Sequence, residues 1–330
     1  SLIILSVLSL LTIGCPVYLN LCHPFDDSES STHLQIETYL AGMNQSTHPS
    51  VIETPGRWNG WRYWMAYTPY PFANGREENP SIAVSNDLKT WHIPQGLYNP
   101  IANNNETACD ELKDPHILYN DSLDRLEVWY LGRKDSTIAS GSDLLLFRKT
   151  SENGIAWSDY EIMDTVTGTL SHSVDYHNGT YRAWAIKPSS DGTPGKLLLK
   201  QSIDGRHWNE ATACLFGSTN SIEQIWHGAV SRDSIYRFTF IPNSGNSAEV
   251  LYSESRDGVK WTTPSAIISK GNARHNFYRP CILAANDSLY CFYGVVSRLN
   301  EWHIAMSAGR TPGSMQASAS TPPPPHFIKI

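Results

Sequence analysis

A chain of 330 residues with a net charge of −7 and only 17% charged residues is long enough to bury a substantial core. Its acidic balance, without any long basic run, excludes a nucleic-acid backbone as the natural partner, because phosphate binding needs a basic face. Aromatic residues make up 11%, including 11 Trp and 16 Tyr, a density that suits both sheet packing and stacking on sugar rings.

The first segment differs from the rest. Residues 2–13 (LIILSVLSLLTI) form an apolar run too short to cross a bilayer as a helix, and it ends at Gly14-Cys15. That pattern reads as a secretory signal core, while Thr12-Ile13-Gly14-Cys15 resembles a bacterial lipoprotein processing box in which a lipidated Cys15 would anchor the chain to a membrane. Either way the domain is expected outside the cytoplasm, as an extracellular, periplasmic or cell-surface monomer. Residues 1–22 are set apart as this signal or lipoprotein-like segment, and residues 23–47 as an N-terminal linker. The six cysteines (15, 22, 109, 214, 281 and 291) contain no C-x-x-C and no zinc spacing. Cys281 and Cys291 flank the turn at Asn286-Asp287, so pairing across adjacent strands stands beside buried free thiols.

From residue 48 a repeat takes over. Ser85-Asn-Asp87-Leu-Lys-Thr-Trp91, Ser151-Glu-Asn153-Gly-Ile-Ala-Trp157, Ser202-Ile-Asp204-Gly-Arg-His-Trp208 and Ser255-Arg-Asp257-Gly-Val-Lys-Trp261 recur at spacings of 66, 51 and 53 residues. A period of about 50 residues marks an array of small sheets, typically a propeller. In each copy Asx-Gly makes a tight turn, the Ser hydroxyl closes it, and the Trp covers a sheet junction. Aligned on this signature, inner strands begin at His48, Asp114, Ser171, His227 and Arg279. Second strands begin at Arg62, Leu126, Thr180, Ser234 and Ser288, and third strands at Ser81, Leu144, Leu197, Glu249 and His303. The expected fold is all-β: a five-bladed β-propeller of four-stranded antiparallel blades over residues 48–309. A Pro-rich tail follows over 310–330.

Strand direction places function. The repeated turns join third strands to fourth, so a site belongs at the other end of the strands, where polar residues gather. His48, Asp114, His172, His227 and Arg279 stand at inner-strand starts; Glu78, Arg133 and Lys187 lie in the loops between second and third strands. His48, His172 and His227 are candidates to line the channel together and hold a structural cation, although each also suits a satisfied core position.

Glu78-Asn-Pro-Ser-Ile, Lys113-Asp114-Pro115-His116 and the S-x-D-G-x-x-W repeat resemble the five-bladed β-propeller glycoside hydrolases, the superfamily of glycoside hydrolase family 43 and its relatives. The resemblance covers residues 48–309. It implies a carboxylate at an inner-strand start as base or nucleophile, which Asp114 matches, although Asp114 lies on the second unit and His48 fills that place on the first. It implies a Glu as acid, with Glu223 on the fourth unit the best match and Glu78 the rival. Asp175 on the third unit matches a further Asp that tunes the acid, and His227 stays a candidate because one relative uses a histidine there. His48, Tyr70, Arg133, Asp175, Lys187, His227 and Arg279 are then the expected substrate contacts. Such chemistry needs two carboxylic groups across a glycosidic bond, one protonated and one ionised, with no cofactor and no catalytic metal. The expected function is that of a secreted glycoside hydrolase acting on a poly- or oligosaccharide; the alternative is a non-catalytic propeller that binds carbohydrate or protein with the same mouth.

Overall fold

A computed structural model describes residues 32–134, 143–190, 192–217, 224–242, 249–269, 276–297 and 299–310. The signal-like segment with Cys15, Glu223 and nearly all of the Pro-rich tail therefore lie outside the described residues. Five small, essentially antiparallel sheets follow one another around a ring. Blade 1 contains Ser46–Glu53, Tyr63–Pro69 and Ser81–Ser85, and its place for a fourth strand holds only the single bridge from Val84 to His92. Blade 2 contains Glu111–Asn120, Arg125–Arg133, Asp143–Ser151 and Glu161–Thr167, and blade 3 Leu170–His177, Thr180–Lys187, Lys196–Ser202 and Thr212–Ala213. Blade 4 is built on Gly228–Arg232, Tyr236–Phe240, Glu249–Ser255 and Ser265–Ser269.

Blade 5 draws on both ends of the described chain. Asn276–Ala285, Ser288–Val296 and Trp302–Arg310 are completed by Thr32–His33, which pairs antiparallel with Met306 and Ala305. The segment expected to be a linker thus supplies the outermost strand that closes the ring. Among the described residues no helix is long and apolar enough to cross a membrane.

Apolar side chains divide into five buried clusters, each at a junction between neighbouring blades. The repeated signature locks these junctions. In every copy the Ser hydroxyl accepts from the amide three residues on, at 2.9 Å in Leu88, 2.8 Å in Gly154, 2.9 Å in Gly205 and 2.8 Å in Gly258. The Asx side chain then accepts from the next two amides, as Asp257 does from Val259 and Lys260. Each turn glycine lies against the second-strand Trp of the preceding blade. A Cβ on Gly154 would sit 2.1 Å from Trp64, one on Gly205 3.0 Å from Trp129, and one on Gly258 2.7 Å from Trp184. At the register where blades 2 and 3 carry Trp129 and Trp184, three residues past the partner of the signature Ser, blade 4 carries Thr239, and the blade after it is the one without the signature. Signature and Trp are therefore two halves of one contact.

Cys281 lies opposite Phe292 and Cys291 opposite Ile282, so the two thiols occupy different faces of the blade 5 sheet. Both are free and buried, as are Cys109 and Cys214.

Candidate active site

Inner strands were expected to begin at His48, Asp114 and Arg279; they begin two to three residues earlier, and these residues sit inside them at breaks in register. Pairing skips between Thr47 and Ser50, between Lys113 and His116, and between Tyr278 and Cys281. Each break contains an X-Pro step: His48-Pro49, Asp114-Pro115 and Arg279-Pro280. Proline cannot donate to the ladder and is tolerated in a sheet at such bulges. The residue ahead of it adopts a left-handed backbone, with φ of 53° at His48, 53° at Asp114 and 34° at Arg279. Ser171 repeats the distortion in blade 3 without proline, at φ 50°. Non-glycine residues there cost of order 1–3 kcal/mol each, strain that the packed ring must hold and that clusters at working sites.

These bulges gather their side chains near the ring axis. Arg279 Nε lies 3.2 Å from Asp114 Oδ1, and His48 Nε2 lies 3.6 Å from the same oxygen. The Ser171 amide donates to Asp114 Oδ2 at 2.9 Å, and His227 Nδ1 stands 3.8 Å from it. Arg279 Nη1 donates to the carbonyls of Pro115 at 3.0 Å and His48 at 3.3 Å, tying three inner strands together. Asp114 Oδ1 is buried and accepts no hydrogen bond among the described residues, so it is the oxygen left for a ligand or a water.

Charge states follow from burial and neighbours. Burial pushes the Asp114 carboxyl upward, but the Arg279 guanidinium above all, with the hydrogen bond from the Ser171 amide, holds it well below the ordinary carboxylate range. Glu78, buried in the loop after the second strand of blade 1, moves the other way. Burial is the main cause, reinforced by the charges of Asp114 and Glu111 against the opposing pull of Lys113 and Arg133, and it lifts Glu78 well above the usual value. The two carboxyls are thus pushed apart, Asp114 toward the ionised form and Glu78 toward the protonated one. Burial also keeps His48 neutral and lowers His227 to about 4.

Asp114 and Glu78 open on one cavity of about 550 Å³ at the mouth predicted from strand direction. His48, Tyr70, Arg133, Lys187 and His227 line the same cavity, so seven of the residues singled out from sequence meet there. Arg133 is bound to Glu111 on the rim. Three expectations differ. Arg279 is wholly buried beneath the floor as the counter-ion of Asp114, out of reach of a substrate. Asp175 lies toward the other end of its strand, paired with Arg232 at 2.7 Å in the opposite opening of the channel, too far along to tune an acid in this cavity. His172 turns into the gap between blades 2 and 3, where its Nε2 meets Thr169 Oγ1 at 3.0 Å, so it does not join His48 and His227. Among the described residues no group of three or more His, Cys, Asp or Glu is set to hold a metal ion.

Tyr278, on the cavity wall, escaped the sequence reading. Tyr278 bonds His227 Nε2 at 2.9 Å and packs on His48, with ring centroids 5.3 Å apart. Trp226, Lys113 and Glu111 complete the wall. The signal that could have found Tyr278 is the Arg279-Pro280 bulge, since Lys113, the residue before the Asp114-Pro115 bulge, lines the same cavity.

Fold and cavity together define a five-bladed β-propeller of the kind found in glycoside hydrolases. Solved structures bear this out. A family 43 β-xylosidase/α-arabinofuranosidase from a compost microbial metagenome, in complex with xylotriose, superimposes with a TM-score of 0.58 at 10% identity, covering 84% of this chain and 94% of that one. The crystal structure of an N-acetylgalactosamine deacetylase from F. plautii, in complex with blood group B trisaccharide, gives a TM-score of 0.73 at 19% identity, covering 87% and 96%. In sequence the chain is 27% identical over 231 residues to the "A type blood N-acetyl-alpha-D-galactosamine deacetylase" of Flavonifractor plautii. That match covers 67% of this chain but 26% of the relative, so the chain spans about a quarter of the curated protein's length. No protein-family model matches the chain. The fold is therefore that of the family 43 propellers, while the curated relative carries out a deacetylation.

Proposed function

We propose that this propeller is a carbohydrate-active hydrolase whose substrate is an N-acetylated amino sugar, cleaved at the acetamido group. The observation that carries a hydrolytic reading is the opposite displacement of Asp114 and Glu78 around one cavity, the pattern that separates a fixed negative charge from a proton donor. The sequence likeness to the deacetylase selects the amide among the bonds of a sugar.

Asp114 Oδ1 accepts a hydrogen bond from the attacking water and orients it. As the new C–O bond forms at the acetyl carbon, one proton of the water passes to Asp114. Glu78 gives its proton to the sugar nitrogen as the C–N bond breaks, leaving acetic acid and the amine, which part as acetate and ammonium. The proton on Asp114 then passes to Glu78, and both groups return to their starting states. Neutral His48 and His227 add no positive charge that would repel the amine.

A second reading is glycosidic cleavage by the same pair, with Glu78 protonating the leaving oxygen; the family 43 neighbours support it. One experiment separates the two. Aryl glycosides of N-acetylgalactosamine and N-acetylglucosamine, and oligosaccharides ending in them, are incubated with the protein while acetate and aglycone are followed in parallel. Acetate release supports the proposal and aglycone release the second reading. Release of neither across a broad glycoside panel removes both and leaves a carbohydrate-binding propeller.

Export rests on the apolar run at residues 2–13 and on Cys15. Palmitate labelling of the chain in a bacterial host, abolished by Cys15→Ala, would support the lipid anchor.

A further inference from the structure

Buried hydrogen bonds connect the floor of the cavity to its wall. The Ser171 amide donates to Asp114 Oδ2, the Ser171 hydroxyl meets His227 Nδ1 at 2.6 Å, and His227 Nε2 meets the Tyr278 hydroxyl at 2.9 Å. A neutral imidazole carries one N–H, so only one of its two partners receives a proton from it. The directions along this chain decide what Tyr278 offers to the cavity.

Ser171 settles them. Its hydroxyl is buried, and among the described residues His227 Nδ1 is the acceptor within reach. If Nδ1 carried the proton, the Ser171 O–H would lack an acceptor in a buried place, at a cost of about 1–3 kcal/mol. With Ser171 donating to Nδ1, the imidazole proton sits on Nε2 and points at the Tyr278 oxygen. The Tyr278 O–H is then not used by His227 and is left to donate to a ligand in the cavity that Tyr278 lines.

Packing holds it there. The ring lies 4.7 Å from His227, 5.3 Å from His48 and 5.2 Å from Trp302, centroid to centroid. Burial, and then the negative charges of Glu78 and Asp114, raise its phenol well above the ordinary value, so it stays a donor. A rigid donor aimed at the point where charge develops is the arrangement that stabilises an oxyanion.

We propose that Tyr278 is a catalytic residue that donates a hydrogen bond to the oxygen on which negative charge develops, and that His227 and Ser171 are positioning residues that fix its direction through the Nε2–H tautomer. This rests on the hydrolase reading and identifies its oxyanion donor. In amide cleavage that oxygen is the acetyl carbonyl. Tyr278 keeps its own proton throughout, as the oxyanion forms with the C–O bond and collapses with C–N cleavage.

Two measurements test it, and the first does not depend on activity. Nitrogen NMR of the full chain labelled in histidine should show His227, assigned by its loss in His227→Gln, as the Nε2–H tautomer near pH 7. Ser171→Ala should shift it toward the Nδ1–H form or a mixture. Finding wild-type His227 as the Nδ1–H tautomer overturns the proposal. The second is turnover of the substrate found above: Tyr278→Phe should lower kcat about 10²–10³-fold with KM changed by less than about threefold. A kcat within twofold of wild type, or a loss confined to KM, overturns it. If the wild-type protein hydrolyses nothing, the hydrolase reading fails by itself and the oxyanion role falls with it, while the tautomer measurement still decides which way Tyr278 points.

Discussion

The two ends of the blade strands obey opposite rules. At the turn end four copies of one signature make the same hydrogen bonds to within 0.1 Å in the key Ser contact, and in three of the four the positive φ falls on a glycine that meets a neighbouring aromatic ring. At the cavity end the inner strands present His48, Asp114, Ser171, His227 and Arg279, with only histidine recurring. Left-handed backbone falls on His, Asp, Ser and Arg, and buried polar atoms such as Asp114 Oδ1 and His48 Nε2 have no hydrogen-bond partner among the described residues. Regularity marks what every blade must do to hold its neighbour, and departure from it marks what a single blade does for the site.

Substitutions at the two ends should therefore separate activity from stability. Asp114→Asn should have the largest effect, lowering turnover by about 10³-fold or more. It should also cost about 3–5 kcal/mol in urea denaturation, because Arg279 is left buried without its counter-charge. Retention of near-wild-type turnover would break the assignment of the cavity end as the working end.

Glu78→Gln tests the proton donor. In the wild type the rate should stay high while Glu78 is protonated and fall as pH rises through its elevated pKa. The variant should lose about 10²-fold in kcat, and its pH profile should lack that alkaline limb; a profile identical to wild type would remove Glu78 from the mechanism.

At the turn end, Gly154→Ala forces a Cβ to within 2.1 Å of Trp64 at a residue with φ of +73°. Overpacking and left-handed strain together predict a loss on the order of 3 kcal/mol in the denaturation midpoint, with kcat per folded molecule unchanged. A drop in kcat without loss of stability would show that the two ends are coupled. The smallest effect is expected from Asp175→Asn, which removes a partly exposed ion pair with Arg232 in the far opening. Stability should change by less than about 1 kcal/mol and turnover not at all, and a change in KM would reopen Asp175 as a site residue.

The fold was legible because its rule is local. Ser, Asx, Gly and Trp make their contacts within seven residues and one neighbouring blade, so the period alone reveals blade number and strand direction. Asp114, Glu78, His48, Tyr70, Arg133, Lys187 and His227 were found because strand direction says which end to search. Arg279 was placed in the right blade but given the wrong task, since only its complete burial shows that it serves Asp114 rather than a substrate. Asp175 was misplaced because a strand of eight residues spans the full height of a blade, and a residue near its far end opens on the opposite face. Tyr278 was missed because aromatic residues fill these strands everywhere, and its partner His227 is 51 residues away in sequence.

The pairing of Thr32–His33 with the strand Trp302–Arg310 makes ring closure a matter of time as well as geometry. The early strand must wait for some 270 residues to be synthesised before its partner exists. At about 5–20 residues per second that is on the order of 15–55 s, during which blades 1 to 4 can stack while the last junction stays open. During synthesis the final junction forms late, and the cavity, whose floor depends on Arg279 from blade 5, becomes complete only when it does.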